Sequence, residues 1–179
     1  GWEMLISFII SSNNRIPMIQ KAINNLSREV GTYIGEYNGK EYYAFPTPEQ
    51  LSKASQEQIR ACQTGFRDKY IKSTTDSVIL NNKNIYEYTK LNTEECIKEL
   101  LQFNGVGPKE GDCIALFGMQ KYDTFPVDVW VKRVMQEFYV EEDLSLPKIR
   151  AYAIDKFKEL SGFAQQYLFY YARELGIGR

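Results

Sequence analysis

Leu100-Leu101-Gln102-Phe103-Asn104-Gly105-Val106-Gly107-Pro108-Lys109-Glu110-Gly111-Asp112-Cys113 is the stretch that decides the reading of this chain. Upstream, Thr93 opens a helix with Glu94 and Glu95 in its first turn, where the helix dipole favours anions, and the pattern runs to about Leu101. Pro108 is suited to the first turn of the next helix, which extends to about Met119. Between them, Gly105 and Gly107 let the backbone turn tightly and approach a ligand without Cβ atoms in the way. The leading N–H groups of the second helix have no intrahelical partner and sit at its positive end. Hairpin and helix start together suit a phosphate. The two glycines alone describe a plain helix–helix turn equally well.

Working outward, the pattern is mainly helical. Residues 2–11 read as a buried helix broken at Ser11-Ser12-Asn13-Asn14. Pro17 opens a second helix with Met18, Ile19, Ala22, Ile23 and Leu26 on an apolar stripe, ended by Gly31. Thr32 to Phe45 reads as a β-hairpin about Asn38-Gly39, since both turn positions tolerate positive φ. Helices are then expected over 48–54, 55–62 and, after the Thr64-Gly65 break, 67–80. Past the hairpin, Pro126-Val127-Asp128 introduces a helix over 129–139, and two more cover 147–160 and 163–175. The fold class is mainly α: two helical lobes flanking a cleft, with one small β-hairpin. We expect residues 15–108 to form one lobe, and 1–14 plus 109–179 the second.

Composition narrows the chemistry. The 179 residues are 44% hydrophobic and 25% charged, an ordinary globular balance. Histidine is absent, which excludes Ser-His-Asp and Cys-His catalysis and histidine metal sites. Acid–base or nucleophilic work falls to Asp, Glu, Lys, Cys or Tyr. The three cysteines, Cys62, Cys96 and Cys113, are too few for a four-thiolate cluster, and their odd count and spacing suggest a reducing compartment. No apolar run is long enough to span a membrane. The net charge of −1 counts against a protein that coats nucleic acid, not against one that grips a few phosphates. A grip of that second kind would weaken with salt on a modest slope.

Lys109 lies just inside the second helix, Cys113 one turn on along the same face, and Asp128 at the N-cap of a later helix. Taken together, the hairpin, the lysine and the downstream Phe125-Pro126-Val127-Asp128-Val129-Trp130 resemble the signature of the helix-hairpin-helix DNA glycosylase superfamily. In particular they are similar to its 8-oxoguanine glycosylase/AP lyases. The likeness covers nearly the whole chain: Phe8 to Asn14, Phe45 to Pro48, Gly65 to Tyr70, and Gly162 through Phe169 all match.

The resemblance implies specific roles. Lys109 would be the nucleophile, attacking the sugar C1′ as the base leaves and forming a Schiff base that permits β-elimination. An amine attacks only when neutral, so the site must favour its unprotonated form. Asp128 would stabilise the oxocarbenium-like sugar and help position the amine; simple N-capping is compatible with that role. Cys113, Gln165 and Phe169 would form the pocket for the flipped base, Cys113 pairing with Lys109 as a dipole. Read locally, these three are also a small buried residue, a surface amide and a core aromatic. Asn13 would fill the gap left by the flipped nucleotide and contact the orphaned base, Asn14 beside it would also meet the DNA, and Phe66, with Arg67 beside it, would wedge into the opposite strand. Gly105, Val106 and Gly107 would meet a phosphate. Backbone carbonyls of Leu101, Phe103 and Val106 would hold a monovalent cation, Na⁺ or K⁺. No cofactor is otherwise required.

Departures from the family pattern carry their own expectations. Met18 stands where an arginine commonly reads the base opposite the lesion, so cleavage should differ little opposite C, A, G and T. Trp130 replaces a phosphate-contacting histidine, and Asn104 a frequent proline. The chain enters its first helix at once, so the β-rich N-terminal domain usual in these enzymes is expected to be missing here, which puts discrimination of the oxidised base in doubt. The implied partner is damaged double-stranded DNA. No membrane association is expected; a monomer is, acting inside the cell at the nucleoid or in the nucleus. Two other readings stay open. One is a monofunctional helix-hairpin-helix glycosylase for another lesion, which keeps Asp128 but does not require Lys109. The other is a non-catalytic DNA-binding module, which needs only the hairpin.

Overall fold

The computed structural model describes residues 1–177. In chain order it runs α1 (Trp2–Ser11), α2 (Ile16–Val30), β1 (Thr32–Tyr37), β2 (Lys40–Ala44), α3 (Pro48–Ser52), α4 (Gln56–Ile59), α5 (Asp68–Leu80), α6 (Thr93–Leu100), α7 (Pro108–Gly118), α8 (Val129–Phe138), α9 (Leu146–Phe157) and α10 (Ser161–Leu175). The hairpin forms as its sequence requires. Asn38 and Gly39 take φ of 50° and 73°, and β1 pairs antiparallel with β2 in a register that sets Tyr37 opposite Lys40.

Three local features differ from the expected helices, each for a physical reason. The segment expected over 55–62 is a short α4 followed by a π-type turn, Arg60–Thr64, in which Gln63 adopts φ 67°. The buried Thr64 hydroxyl holds that turn by donating to the Ile59 carbonyl, 2.9 Å away. A 3₁₀ turn, Ile85–Lys90, capped by the Asn84 side chain, had no clear signal in the sequence. Finally, α9 stops at Phe157, because Lys158 turns to φ 52°, and α10 begins at Ser161. Gly162 therefore lies inside α10. It is glycine because a Cβ would run into the Leu116 side chain and lie 3.0 Å from the Tyr122 carbonyl oxygen, to which its N–H donates at 2.7 Å.

Two apolar cores organise the molecule. The larger gathers α1 (Trp2, Leu5, Ile6, Ile9, Ile10) with α2, α5 and α6, and with Ile114, Ala115 and Met119 from in and beyond α7. Trp2 is anchored there by its indole N–H, 2.9 Å from the Pro46 carbonyl. The smaller joins Phe125, Val127, Val131, Met135, Val140, Ile149 and Ala153, with Phe169 packed against it. The division thus departs from the expected one: α1 and the apolar face of α7 belong to the larger core. The reason is the shape of the apolar stripes, since Leu5, Ile6, Ile9 and Ile10 have no exposure and find their partners in α2 and α7 rather than in the C-terminal helices. Between the cores runs the N-terminal half of α7, which carries Lys109. Among the described residues no helix is long and apolar enough to cross a membrane.

Candidate active site

The loop between α6 and α7 closes on itself by backbone bonds, Phe103 N–H to Leu100 O and Val106 N–H to Phe103 O. Gly105 sits at φ 86° with Tyr70 pressed against it; a Cβ there would lie 2.9 Å from the ring. Gly107 is the N-cap of α7, and having no side chain it supplies no capping oxygen. Of the four leading positions of α7, Pro108 has no N–H and loses nothing there, which leaves the amides of Gly107, Lys109 and Glu110 ahead of the first intrahelical bond, Gly111 N–H to Gly107 O. Leu101, Phe103 and Val106, whose carbonyls were expected to hold a cation, all lie in this turn, where Phe103 O is already engaged by Val106 N–H.

Lys109 is half-buried, its Nζ 5.7 Å from the centre of the Phe8 ring on α1. Phe8 in turn stacks on Phe117 at 5.8 Å. Asp128 is the N-cap of α8, its Oδ1 accepting the Val131 N–H at 2.7 Å, a bond that fixes the direction of the carboxylate. Cys113 is buried one turn along α7, and both Lys109 and Asp128 act electrostatically on it. Burial pushes its thiol up to about 12, while the Lys109 charge pulls the other way and loses. Burial thus favours the neutral thiol at Cys113.

The rest of the expected base pocket lies on α10. Gln165 is buried, donating from Nε2 to the Pro126 carbonyl at 3.2 Å, and Gln166 donates to its Oε1 at 2.6 Å. Phe169 is half-buried and meets the Trp130 ring edge-on, 4.8 Å between centroids. Trp130, expected at a phosphate, is half-buried: it packs against the smaller core and forms a wall against Phe169.

A second group lies at the end of α1. Asn13 is exposed, with φ 47°. Asn14 is turned back on the helix, its Nδ2 donating to Ile10 O at 3.0 Å and its Oδ1 accepting Arg15 N–H at 2.9 Å. Phe66 is 50% exposed and Met18, in the first turn of α2, is 41% exposed; both present apolar surface outward. Arg67 requires a correction. It does lie beside Phe66, 4.4 Å from the ring, but its side chain is buried rather than offered to solvent. The guanidinium donates to the Ser12 carbonyl from Nε (2.8 Å) and Nη2 (2.5 Å), to Asn13 O (2.9 Å) and to Thr64 O (3.3 Å). It holds the Asn13 loop in place and spends its donors there.

Sequence reasoning missed one buried charged cluster on α7, Asp112 with Arg150 and Thr124. The signal was available: an aspartate in a helix whose next positions, Cys113 to Leu116, are all apolar is either paired or costly.

Comparison with known proteins places this geometry. Residues 6–160 match the model of the HhH-GPD superfamily of base excision DNA repair proteins. The chain belongs to that superfamily. A crystal structure of the Clostridium acetobutylicum 8-oxoguanine glycosylase/lyase, bound to duplex DNA with cytosine opposite 8-oxoguanine, superposes with a TM-score of 0.93 at 54% identity, over 98% of this chain and 60% of that one. A probable N-glycosylase/DNA lyase of Methanothermobacter thermautotrophicus is 29% identical over 98% of this chain and 62% of its own length. The N-glycosylase/DNA lyase OGG1 of Arabidopsis thaliana is 33% identical over 93% of this chain and 48% of its own length. The chain thus spans between about half and two thirds of the length of these relatives.

Proposed function

We propose that this chain carries the catalytic machinery of a bifunctional DNA glycosylase/AP lyase that removes 8-oxoguanine from duplex DNA and nicks the strand. The observation that carries this reading is the placement of Lys109 and Asp128 at the starts of two helices between the cores, both acting on Cys113, in a chain 54% identical to an 8-oxoguanine glycosylase/lyase.

In this scheme the duplex lies across the α6–α7 hairpin, with a phosphate on the leading amides of α7. The damaged nucleotide is extruded toward α10, where Phe169, backed by Trp130, offers a ring face and Gln165 an amide. Gln165 must then exchange its Pro126 and Gln166 partners for the base edge. Asn13 fills the gap in the stack, Phe66 wedges the opposite strand, and Met18 meets the orphaned base without a charged group. As the glycosidic bond breaks, Asp128 stabilises the positive sugar, and the neutral Lys109 amine bonds to C1′. Loss of the ring oxygen linkage gives the Schiff base, and removal of a C2′ proton expels the 3′ phosphate. A monovalent cation on the Leu101, Phe103 and Val106 carbonyls would brace the hairpin. The place of action is wherever the cell keeps its DNA.

Borohydride trapping on two duplexes, one abasic and one carrying 8-oxoguanine, tests the reading with the chain and its Lys109→Gln variant. Trapping on both, lost in the variant, is the expected result. Trapping on the abasic duplex alone would assign base recognition to residues outside this chain. Absence of trapping on either would remove the lysine mechanism.

A further inference from the structure

Asp112 lies on α7 directly before Cys113 and one helical turn after Lys109, and its side chain is 3% exposed. Its Oδ2 accepts Arg150 Nε at 2.6 Å, and its Oδ1 accepts Arg150 Nη2 at 2.8 Å and the Thr124 hydroxyl at 2.7 Å. The fork is bidentate and its partners come from three places: α7, the loop after it, and α9. Arg150 follows Ile149, which is buried in the smaller core, while Ile114 and Ala115 beside Asp112 are buried in the larger one. The ion pair therefore ties the two cores together across the helix that bears Lys109.

Lys109, Asp112 and Arg150 also line one cleft. Residues three apart on a helix are neighbours, and a lysine so placed pairs readily with a carboxylate. Two carboxylates stand near the start of this helix as possible partners for the amine: Asp112 on α7 itself and Asp128 at the N-cap of α8. Glu110 is a third acid in the same cleft, burial favours the neutral thiol of Cys113, and α1 places the Phe8 ring 5.7 Å from the amine. An amine captured by Asp112 would be held protonated and directed away from Asp128. The fork from Arg150 occupies both oxygens of Asp112 and cancels its charge.

We propose that Arg150 is a positioning residue for the Lys109 amine: it neutralises Asp112, so that the amine is left to Asp128 and to the sugar. This rests on Lys109 as the Schiff-base residue. No covalent step is added; the effect is on where the amine points and on how readily it gives up its proton.

The experiment compares the chain with Arg150→Met, Asp112→Asn and the double variant. Trapping rate on an abasic duplex is followed against pH, and reductive methylation of Lys109 in the DNA-free protein is followed against pH by mass spectrometry. Arg150→Met should move both midpoints up by about one unit, slowing trapping about tenfold near neutrality. Asp112→Asn, which leaves the guanidinium unopposed, should move them down. The double variant, with neither charge, should return close to the parent. A brace without electrostatic consequence predicts the opposite pattern: unmoved midpoints, and a double variant at least as impaired as either single one. That result would overturn the proposal. Should Arg150→Met fail to fold, the downward shift in Asp112→Asn and the restored double variant decide. If methylation shifts as described but no variant, parent included, traps DNA, the Schiff-base reading fails while the charge coupling stands.

Discussion

The starts of α7 and α8 face the same junction and are built in opposite ways. At α8 the positive end of the helix is met by a carboxylate from the chain itself, Asp128, bonded to Val131 N–H at 2.7 Å. At α7 the N-cap is Gly107, which has no side chain to offer, and the nearest acid is the movable end of Glu110. A helix start attracts an anion whichever way it is supplied. One start has its anion built in and thereby holds a carboxylate in a fixed direction; the other leaves amides suited to an oxygen from outside. The same backbone physics fixes a carboxylate in one place and, in the proposed function, would receive a phosphate in the other.

The sharpest test of that contrast is at Asp128. Asparagine caps a helix about as well as aspartate, so Asp128→Asn should change stability by only a few tenths of a kcal/mol, whereas Asp128→Ala should cost about 1 kcal/mol. Both should slow trapping on an abasic duplex by about a hundredfold or more, because both lose the charge. Thermal melts alongside single-turnover trapping separate the two jobs; an Asn variant that keeps full rate would reduce Asp128 to a cap. Next in size is the hairpin. Gly105→Ala meets both a positive φ and the Tyr70 ring, and should destabilise by about 1–3 kcal/mol in denaturant unfolding. Gly107→Ala meets only the movable Glu110 carboxylate at an ordinary φ of −92° and loses only glycine's advantage over alanine as an N-cap, so it should cost less, about 0.5 kcal/mol. Equal losses at the two glycines would contradict the geometry. A smaller effect is expected from Glu110→Gln, which removes an anion from the start of α7. Duplex affinity should rise about two- to fivefold at low salt, and the gain should shrink as salt is added; an unchanged affinity would move the phosphate elsewhere.

The smallest effect concerns Cys113. Its thiol is raised from 9.0 to about 12 in the folded chain by burial, so folded and unfolded states hold the proton alike below about pH 9. Above that the unfolded thiol ionises first, and the stability linked to Cys113 falls progressively as pH rises toward about 12. Cys113→Ala should remove that part of the alkaline decline in an unfolding titration, and iodoacetamide should modify native Cys113 far more slowly than an exposed thiol. Rapid native alkylation near neutrality would mean a thiolate is present after all.

Local patterns made part of this legible in the sequence. The hairpin glycines, the lysine just past Pro108 and the aspartate at a helix start are all read from spacing, because each acts through backbone within a turn of itself. The β-hairpin was legible for the same reason. What could not be read was where long side chains travel. Nothing near Arg67 in the sequence announces that it spans to Ser12 and Asn13, and its burial follows from tertiary contact alone. The Asp112–Arg150 pair is likewise closed only by packing α9 beside α7. Trp130 has the spacing of a surface position, yet Phe169 draws it inward. The allotment of α1 to the larger core depends on which neighbour its all-round apolar surface meets, and composition does not choose between them.

The Arg67 guanidinium has a consequence for timing. Because it bonds the carbonyls of Ser12 and Asn13, the bend that carries Asn13 at φ 47° is set when the chain folds and stays set in the absence of any duplex. A loop that had to be ordered at every encounter would lose conformational entropy each time, and each visit to an undamaged site would be slowed by that rearrangement. With the loop already shaped, contact with a normal base pair can begin and end without it. Under the proposed function, in which one altered base is sought along intact duplex, the buried arginine thus bears on how fast the search can run.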